Sequence, residues 1–132
     1  MKTILFADDS KNIRQWIKEE FEEEGYRVLL ARDGVEAVRM VQESPPDVAV
    51  LDLWMPTGHG LEAAERIKSI APRVPVVLFT ANDELCLRDP RNRFAVACVD
   101  KSGDLLELKR AVLRALAGPA EARVGLPPLA KG

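Results

Sequence analysis

Three carboxylates, a hydroxyl and an ammonium recur at one kind of place in this sequence, the end of a short apolar run. Asp8 and Asp9 follow Thr3–Ala7, and Asp52 ends Asp47–Asp52. Thr80 closes the run that begins at Pro75, and Lys101 follows Phe94–Val99. A carboxylate at the edge of a core is costly unless it is solvated, paired or bound to a metal. Crowded carboxylates repel one another, and a hard cation relieves that repulsion. Mg²⁺ suits such a group because it takes oxygen ligands, keeps waters and works with phosphates; Mn²⁺ is the second candidate. Lys101 adds a mobile point charge suited to a phosphoryl oxygen, and Thr80 a hydroxyl donor. A carboxylate can attack phosphorus to form an aspartyl phosphate. The roles then read as follows: Asp52 attacks, Mg²⁺ and Lys101 neutralise developing charge, and Thr80 binds the product. Taken singly, Asp8-Asp9 is a helix cap, Thr80 a strand-end residue and Lys101 a solvent-exposed chain. Their shared placement favours a site.

The elements that must position these residues alternate between two periods. Strands are expected at Thr3–Ala7, Tyr26–Ala31, Asp47–Asp52, Pro75–Ala81 and Phe94–Val99. The first helix is expected after the N-cap Ser10, with Ile13, Trp16, Ile17 and Phe21 at helical spacing and Gly25 closing it. After the turn Asp33-Gly34, Val35–Glu43 reads as a second helix with Val38 and Val41 inward, ended by Pro45-Pro46. Leu61, Ala64 and Ile67 mark a third helix, and Leu105, Leu108, Val112 and Leu116 the last. Between them, Asn82–Arg93 reads as a short or distorted helix, because Asp89 and Pro90 interrupt its pattern. Strands alternating with helices argue for a parallel sheet covered on both faces. The working site of such a sheet lies at the carboxyl ends of its strands, where these residues fall.

With 132 residues, 47% of them hydrophobic, the chain can bury one ordinary core. A net charge of -2 gives no electrostatic footprint for nucleic acid. The acidic run Glu19–Glu24 reads as a solvated helix face. Cys86 and Cys98 lack metal-ligand spacing and read as two reduced thiols. No run reaches membrane-spanning length and the N-terminus lacks a signal peptide, so a cytoplasmic protein without membrane contact is expected. His59, the single histidine, reads as an exposed loop residue. Trp54 is expected to lie partly exposed over the site, and Leu106, Leu113 and Ala117 to form either a core margin or a partner surface. Residues 1–117 read as the domain and 118–132 as a flexible tail, since Gly118-Pro119 breaks the last helix.

The ordered pieces Asp8-Asp9, Asp33-Gly34-Val35-Glu36-Ala37, Asp52-Leu53-Trp54-Met55-Pro56, Gly60, Thr80-Ala81 and Lys101 resemble a receiver domain of a two-component response regulator, chemotaxis-receiver-like. The resemblance implies a doubly wound, flavodoxin-like α/β sandwich with five parallel strands in the order 2-1-3-4-5. It implies that Asp52 takes a phosphoryl group from the phosphohistidine of a sensor histidine kinase or phosphotransfer protein. Asp9, Asp52 and the Trp54 carbonyl would ligate Mg²⁺ directly, with Asp8 acting mostly through water. A downstream protein effector would read the state, and dimerisation would use the family's fourth helix, fifth strand and fifth helix. The chain would drive its own phosphoryl transfer without being a turnover enzyme. It departs from the family at Ser102, where Pro is usual, at Cys98, where an aromatic switch residue is usual, and at Phe94, where Gly is frequent. Without that proline the Lys101–Ser102 bond is expected to be trans, and without a ring at Cys98 the signal is expected to run through the backbone of residues 81–94. Two other readings compete: a degenerate receiver that binds partners constitutively, and an aspartate-nucleophile phosphatase. The adjacent rather than alternating carboxylates of Asp8-Asp9 disfavour the phosphatase.

Overall fold

The computed structural model describes residues 1–55, 59–81, 86, 88–101 and 105–118. Five strands form one parallel sheet in the order β2-β1-β3-β4-β5. They are β1 (Thr3–Ala7), β2 (Arg27–Ala31), β3 (Val48–Asp52), β4 (Val76–Thr80) and β5 (Ala97–Asp100). Among the described residues the helices with assigned bounds are α1 (Lys11–Glu23), α2 (Gly34–Glu43), α3 (Gly60–Ile70) and α4 (Leu106–Leu116); Cys86 and Arg88 are also helical, ahead of a 3₁₀ turn at Pro90–Phe94.

Strand side chains alternate between two apolar layers, as a sheet buried on both faces requires. Leu5, Ala7, Ala49, Leu51, Val76 and Leu78 join Ala37, Val41, Leu61, Ala64 and Ile67 of α2 and α3. Ile4, Phe6, Val48, Val50, Val77 and Phe79 join Ile17, Phe21, Leu108 and Val112 of α1 and α4. The expected doubly wound sandwich is therefore the observed one.

Local chemistry sets the helix starts. The Ser10 hydroxyl accepts from the Ile13 amide and the Asp33 carboxylate from the Glu36 amide, each satisfying an otherwise orphaned donor. Gly25 follows α1 at φ 93°, a left-handed conformation that glycine adopts at little cost. Among the described residues no helix is long and apolar enough to cross a membrane.

Several details differ from the expectations. Trp16 is exposed, because Ile13, Ile17 and Phe21 already fill the inward stripe of α1. β5 begins at Ala97 rather than Phe94, since Phe94 ends the 3₁₀ turn. Helical Cys86 and Arg88 stop at Asp89, as the expected interruption requires, and Asp89 and Pro90 then start the 3₁₀ turn: the Asp89 carboxylate accepts from the Arg91 amide at 2.8 Å. Part of the acidic run is paired rather than solvated, because Lys109 of α4 reaches Glu20 at 3.1 Å and Glu24 at 3.4 Å. Cys86 and Cys98 are joined as a disulfide rather than standing as two thiols, their Cα atoms 6.6 Å apart. Leu106, Leu113 and Ala117 are exposed and lie outside the core. The Lys101–Ser102 bond, residues 82–85 of the expected short helix and residues 119–132 of the tail lie wholly or partly outside the described residues.

Candidate functional site

Strand register alone brings the expected residues together. Ala7 pairs with Leu51, so Asp8 continues past β1 beside Asp52 at the end of β3. Asp52 pairs with Phe79, which sets Thr80 one step beyond on β4. Thr80 pairs with Asp100, and the Lys101 amide donates to the Thr80 carbonyl at 2.8 Å, extending the ladder one residue past β5. All five side chains thus stand at the carboxyl rim of the sheet.

The carboxylate oxygens of Asp8, Asp9 and Asp52 lie within 4.8 Å of one another. Asp8 and Asp52 are buried and Asp9 is exposed. The Lys101 ammonium sits between the two buried ones, 2.8 Å from Asp8 Oδ2 and 3.3 Å from Asp52 Oδ1, and 5.6 Å from the centroid of the Phe79 ring. Burial pushes the Asp52 carboxyl above its ordinary range; the Asp8 charge adds to this, and Lys101 and the Trp54 amide only partly offset it. Burial alone would lower Lys101, but its hydrogen bond to Asp8 and the charges of Asp52 and Asp8 outweigh that and raise it. One lysine therefore leaves the cluster with unrelieved negative charge. The donor set is all oxygen, which fits a hard divalent cation.

The surrounding backbone holds these groups in place. Asp8 Oδ1 accepts from the Ser10 amide at 2.9 Å, and the Asp8 carbonyl accepts from Arg14 Nη1 at 2.8 Å. Asp52 Oδ1 accepts from the Trp54 amide at 3.3 Å, which turns the chain sharply after β3. Thr80 is fully buried at its strand end. Gly60 starts α3 directly behind this turn, with its amide donating to the Leu53 carbonyl at 3.0 Å. A Cβ there would overlap the Asp52 carbonyl oxygen and come within 2.8 Å of Leu53 Cα.

Trp54 is 52% exposed, as expected of a ring at the mouth of the site. Its neighbour is His59, 5.0 Å away in an edge-on contact. His59 is not a free loop residue: it is half-buried and caps α3, with Nδ1 accepting from the Leu61 amide at 3.3 Å. Burial, then the nearby Arg91 charge, lowers its pKa. Arg14 carried no signal in the sequence, because its role is to bond a backbone carbonyl six residues earlier.

Comparison with known proteins accords with this geometry. The family model described as response regulator receiver domain matches residues 4–113. The response regulator MprA of Mycobacterium leprae is 39% identical over 85 residues, an alignment covering 64% of this chain and 37% of that protein. The chain thus spans little more than a third of the curated relative it matches. The response regulator TrrA of Thermotoga maritima, solved in complex with Mg²⁺-BeF, is 36% identical with a TM-score of 0.83, covering 87% of this chain and 99% of that one. A second solved structure, of the histidine kinase ThkA in complex with TrrA, matches at 37% identity and a TM-score of 0.81, covering 88% and 99%.

Proposed function

Because the chain belongs to the response regulator receiver domain family of two-component signalling, we propose that it is a phosphorylation-dependent switch with Asp52 as its phosphoacceptor. The observation that carries this reading is the meeting of Asp8, Asp9, Asp52 and Lys101 at one rim, beside buried Thr80. The donor is the phosphohistidine of a histidine kinase or phosphotransfer protein, a reading supported by the kinase complex of TrrA. An Asp52 oxygen forms a bond to phosphorus as the bond from phosphorus to the imidazole nitrogen breaks, and the imidazole leaves.

Lys101 already lies within ion-pair reach of Asp52, so a modest rotation aims its ammonium at a phosphoryl oxygen. The Thr80 hydroxyl binds another oxygen of the product. Asp9, Asp52 and the Trp54 carbonyl would hold Mg²⁺, with Asp8 acting mostly through water; Mn²⁺ suits the same oxygen set. When bound, the ion supplies the positive charge that a single lysine leaves lacking. Trp54 and His59 stand edge-on to each other at the mouth.

The chain performs this transfer on itself and is not a turnover enzyme. Its output is contact with a downstream protein, in the cytoplasm, without nucleic acid or membrane. The exposed Leu106 and Leu113 beside β5 are the surface for that contact or for dimerisation. One observation favours the alternative of a constitutive interaction module: Cys98 stands on β5 where receivers usually carry an aromatic switch.

The test is incubation with a small phosphodonor and Mg²⁺, read by intact mass. One phosphoryl group is expected on the native chain and none on Asp52→Asn. Stoichiometric labelling that persists in Asp52→Asn refutes the assignment, and an unlabelled native chain favours the constitutive module.

A further inference from the structure

The Cys86–Cys98 pair has no part in the phosphoryl chemistry, yet it joins a residue six positions after Thr80 to β5, the strand that pairs with β4. Cys98 pairs with Leu78 on β5, one step along the same sheet face from the Thr80–Asp100 pair. Both cysteines belong to the apolar layer under α2 and α3, Cys86 fully buried and Cys98 partly so. The 12-residue separation between them encloses the 3₁₀ turn, whose Asn92 amide group already donates to the Cys86 carbonyl at 2.8 Å.

We propose that Cys86 and Cys98 are a redox modification site, a reversible disulfide clamp that ties the segment leaving Thr80 to β5. Three observations support reversibility. The chain has a full two-layer core and does not need a staple to fold. Free thiols pack as small apolar groups, so reduction leaves no strongly polar atom stranded in the layer. The unequal burial gives each sulfur a role, with Cys98 meeting the oxidant and Cys86 resolving.

With a hydroperoxide as oxidant, the Cys98 thiolate attacks a peroxide oxygen, the O–O bond breaks, and water leaves after protonation. The Cys98 sulfenic acid is then attacked by the Cys86 sulfur; the S–S bond forms and a second water leaves. Two thiols and one hydrogen peroxide become one disulfide and two waters. An external dithiol reverses this by exchange through a mixed disulfide. The clamp acts on the switch proposed above, and to that extent rests on it: with Cys86 bound to β5, the position of Cys86 is fixed whatever Thr80 does.

The experiment uses the full chain, reduced with dithiothreitol or oxidised with hydrogen peroxide, then digested without reductant. A peptide linking Cys86 to Cys98 is expected only after oxidation, with loss of two hydrogens from the intact mass. Amide exchange in peptides between the two cysteines should be about tenfold or more slower in the oxidised chain. Phosphodonor treatment should alter that exchange in the reduced chain and not in the oxidised one. Cys98→Ser and, independently, Cys86→Ala should erase every difference between the two treatments. Thiols that survive peroxide, a disulfide that resists excess dithiothreitol, or equal exchange in both states would each overturn the clamp. Phosphoryl labelling is scored in the same samples. Its absence in both redox states counts against the phosphorylation reading, while the linked peptide and its exchange decide the clamp.

Discussion

Replacing Lys101 with Met keeps most of the aliphatic stem and deletes one charge, so it isolates what the ammonium does. Its partners are the Asp8 carboxylate at 2.8 Å and the Asp52 carboxylate at 3.3 Å, with side chains 1% and 7% exposed. Breaking a fully buried pair by removing one partner costs about 3–5 kcal/mol, whereas an exposed pair is worth roughly 0–1 kcal/mol. The lysine itself is 21% exposed and stands at a rim, so an intermediate loss of about 2–3 kcal/mol is expected at neutral pH. The loss should depend on pH in a definite direction. Asp52 is already raised in the folded state, and Lys101 is one of the groups holding it down. Without the lysine it rises further. A carboxyl raised on folding contributes stability below its unfolded pKa and loses it as pH climbs through the folded value. The deficit of Lys101→Met should therefore be largest at neutral pH and shrink on acidification. A divalent cation should replace the missing charge: Mg²⁺ at about a hundredfold excess over its dissociation constant should return about 2.7 kcal/mol. Urea unfolding with chelator and with Mg²⁺, repeated across pH, measures all of this. A midpoint unchanged from the native chain, or a deficit that ignores pH, refutes the electrostatic account of the site.

The remaining predictions concern its neighbours. Asp9→Ala removes a charged oxygen ligand without touching the core, and should weaken Mg²⁺ binding more than about tenfold in a titration followed by Trp54 fluorescence; unchanged affinity would exclude Asp9 as a ligand. Gly60→Ala drives a methyl into the Asp52 and Leu53 backbone and should cost about 1–3 kcal/mol in chemical unfolding, with a shifted Trp54 emission. Asp52→Asn removes a carboxyl whose pKa is raised above 3.8, so the native chain should lose stability relative to the variant as pH rises from below that value. At neutral pH without metal the variant should be the more stable by about 1 kcal/mol, the scale of one screened like-charge contact. Equal pH profiles for the two chains would contradict the direction assigned to Asp52.

The alternation of apolar runs and helical spacings in the sequence was enough to locate the strands β1 to β5 and the helices α1 to α4, because each element needs its own period to bury one face. It was also enough to expect Asp8, Asp9, Asp52, Thr80 and Lys101 at one rim, since a parallel sheet gathers its strand ends there and these residues stood at strand ends. What the sequence could not reveal depended on distances between segments remote along the chain. Register decided that Lys101 is shared between Asp8 and Asp52, and burial, with the Asp8 charge, keeps the Asp52 carboxyl raised in spite of it. Close backbone approach decided why Gly60 is glycine. Packing turned His59 from a loop residue into a helix cap and carried Lys109 across to Glu20. Most consequentially, Cys86 and Cys98 read as two unrelated thiols along the chain. Only the tertiary placement of Cys86 beside β5 brings their Cα atoms to 6.6 Å, and spacing in a sequence carries no information about that approach.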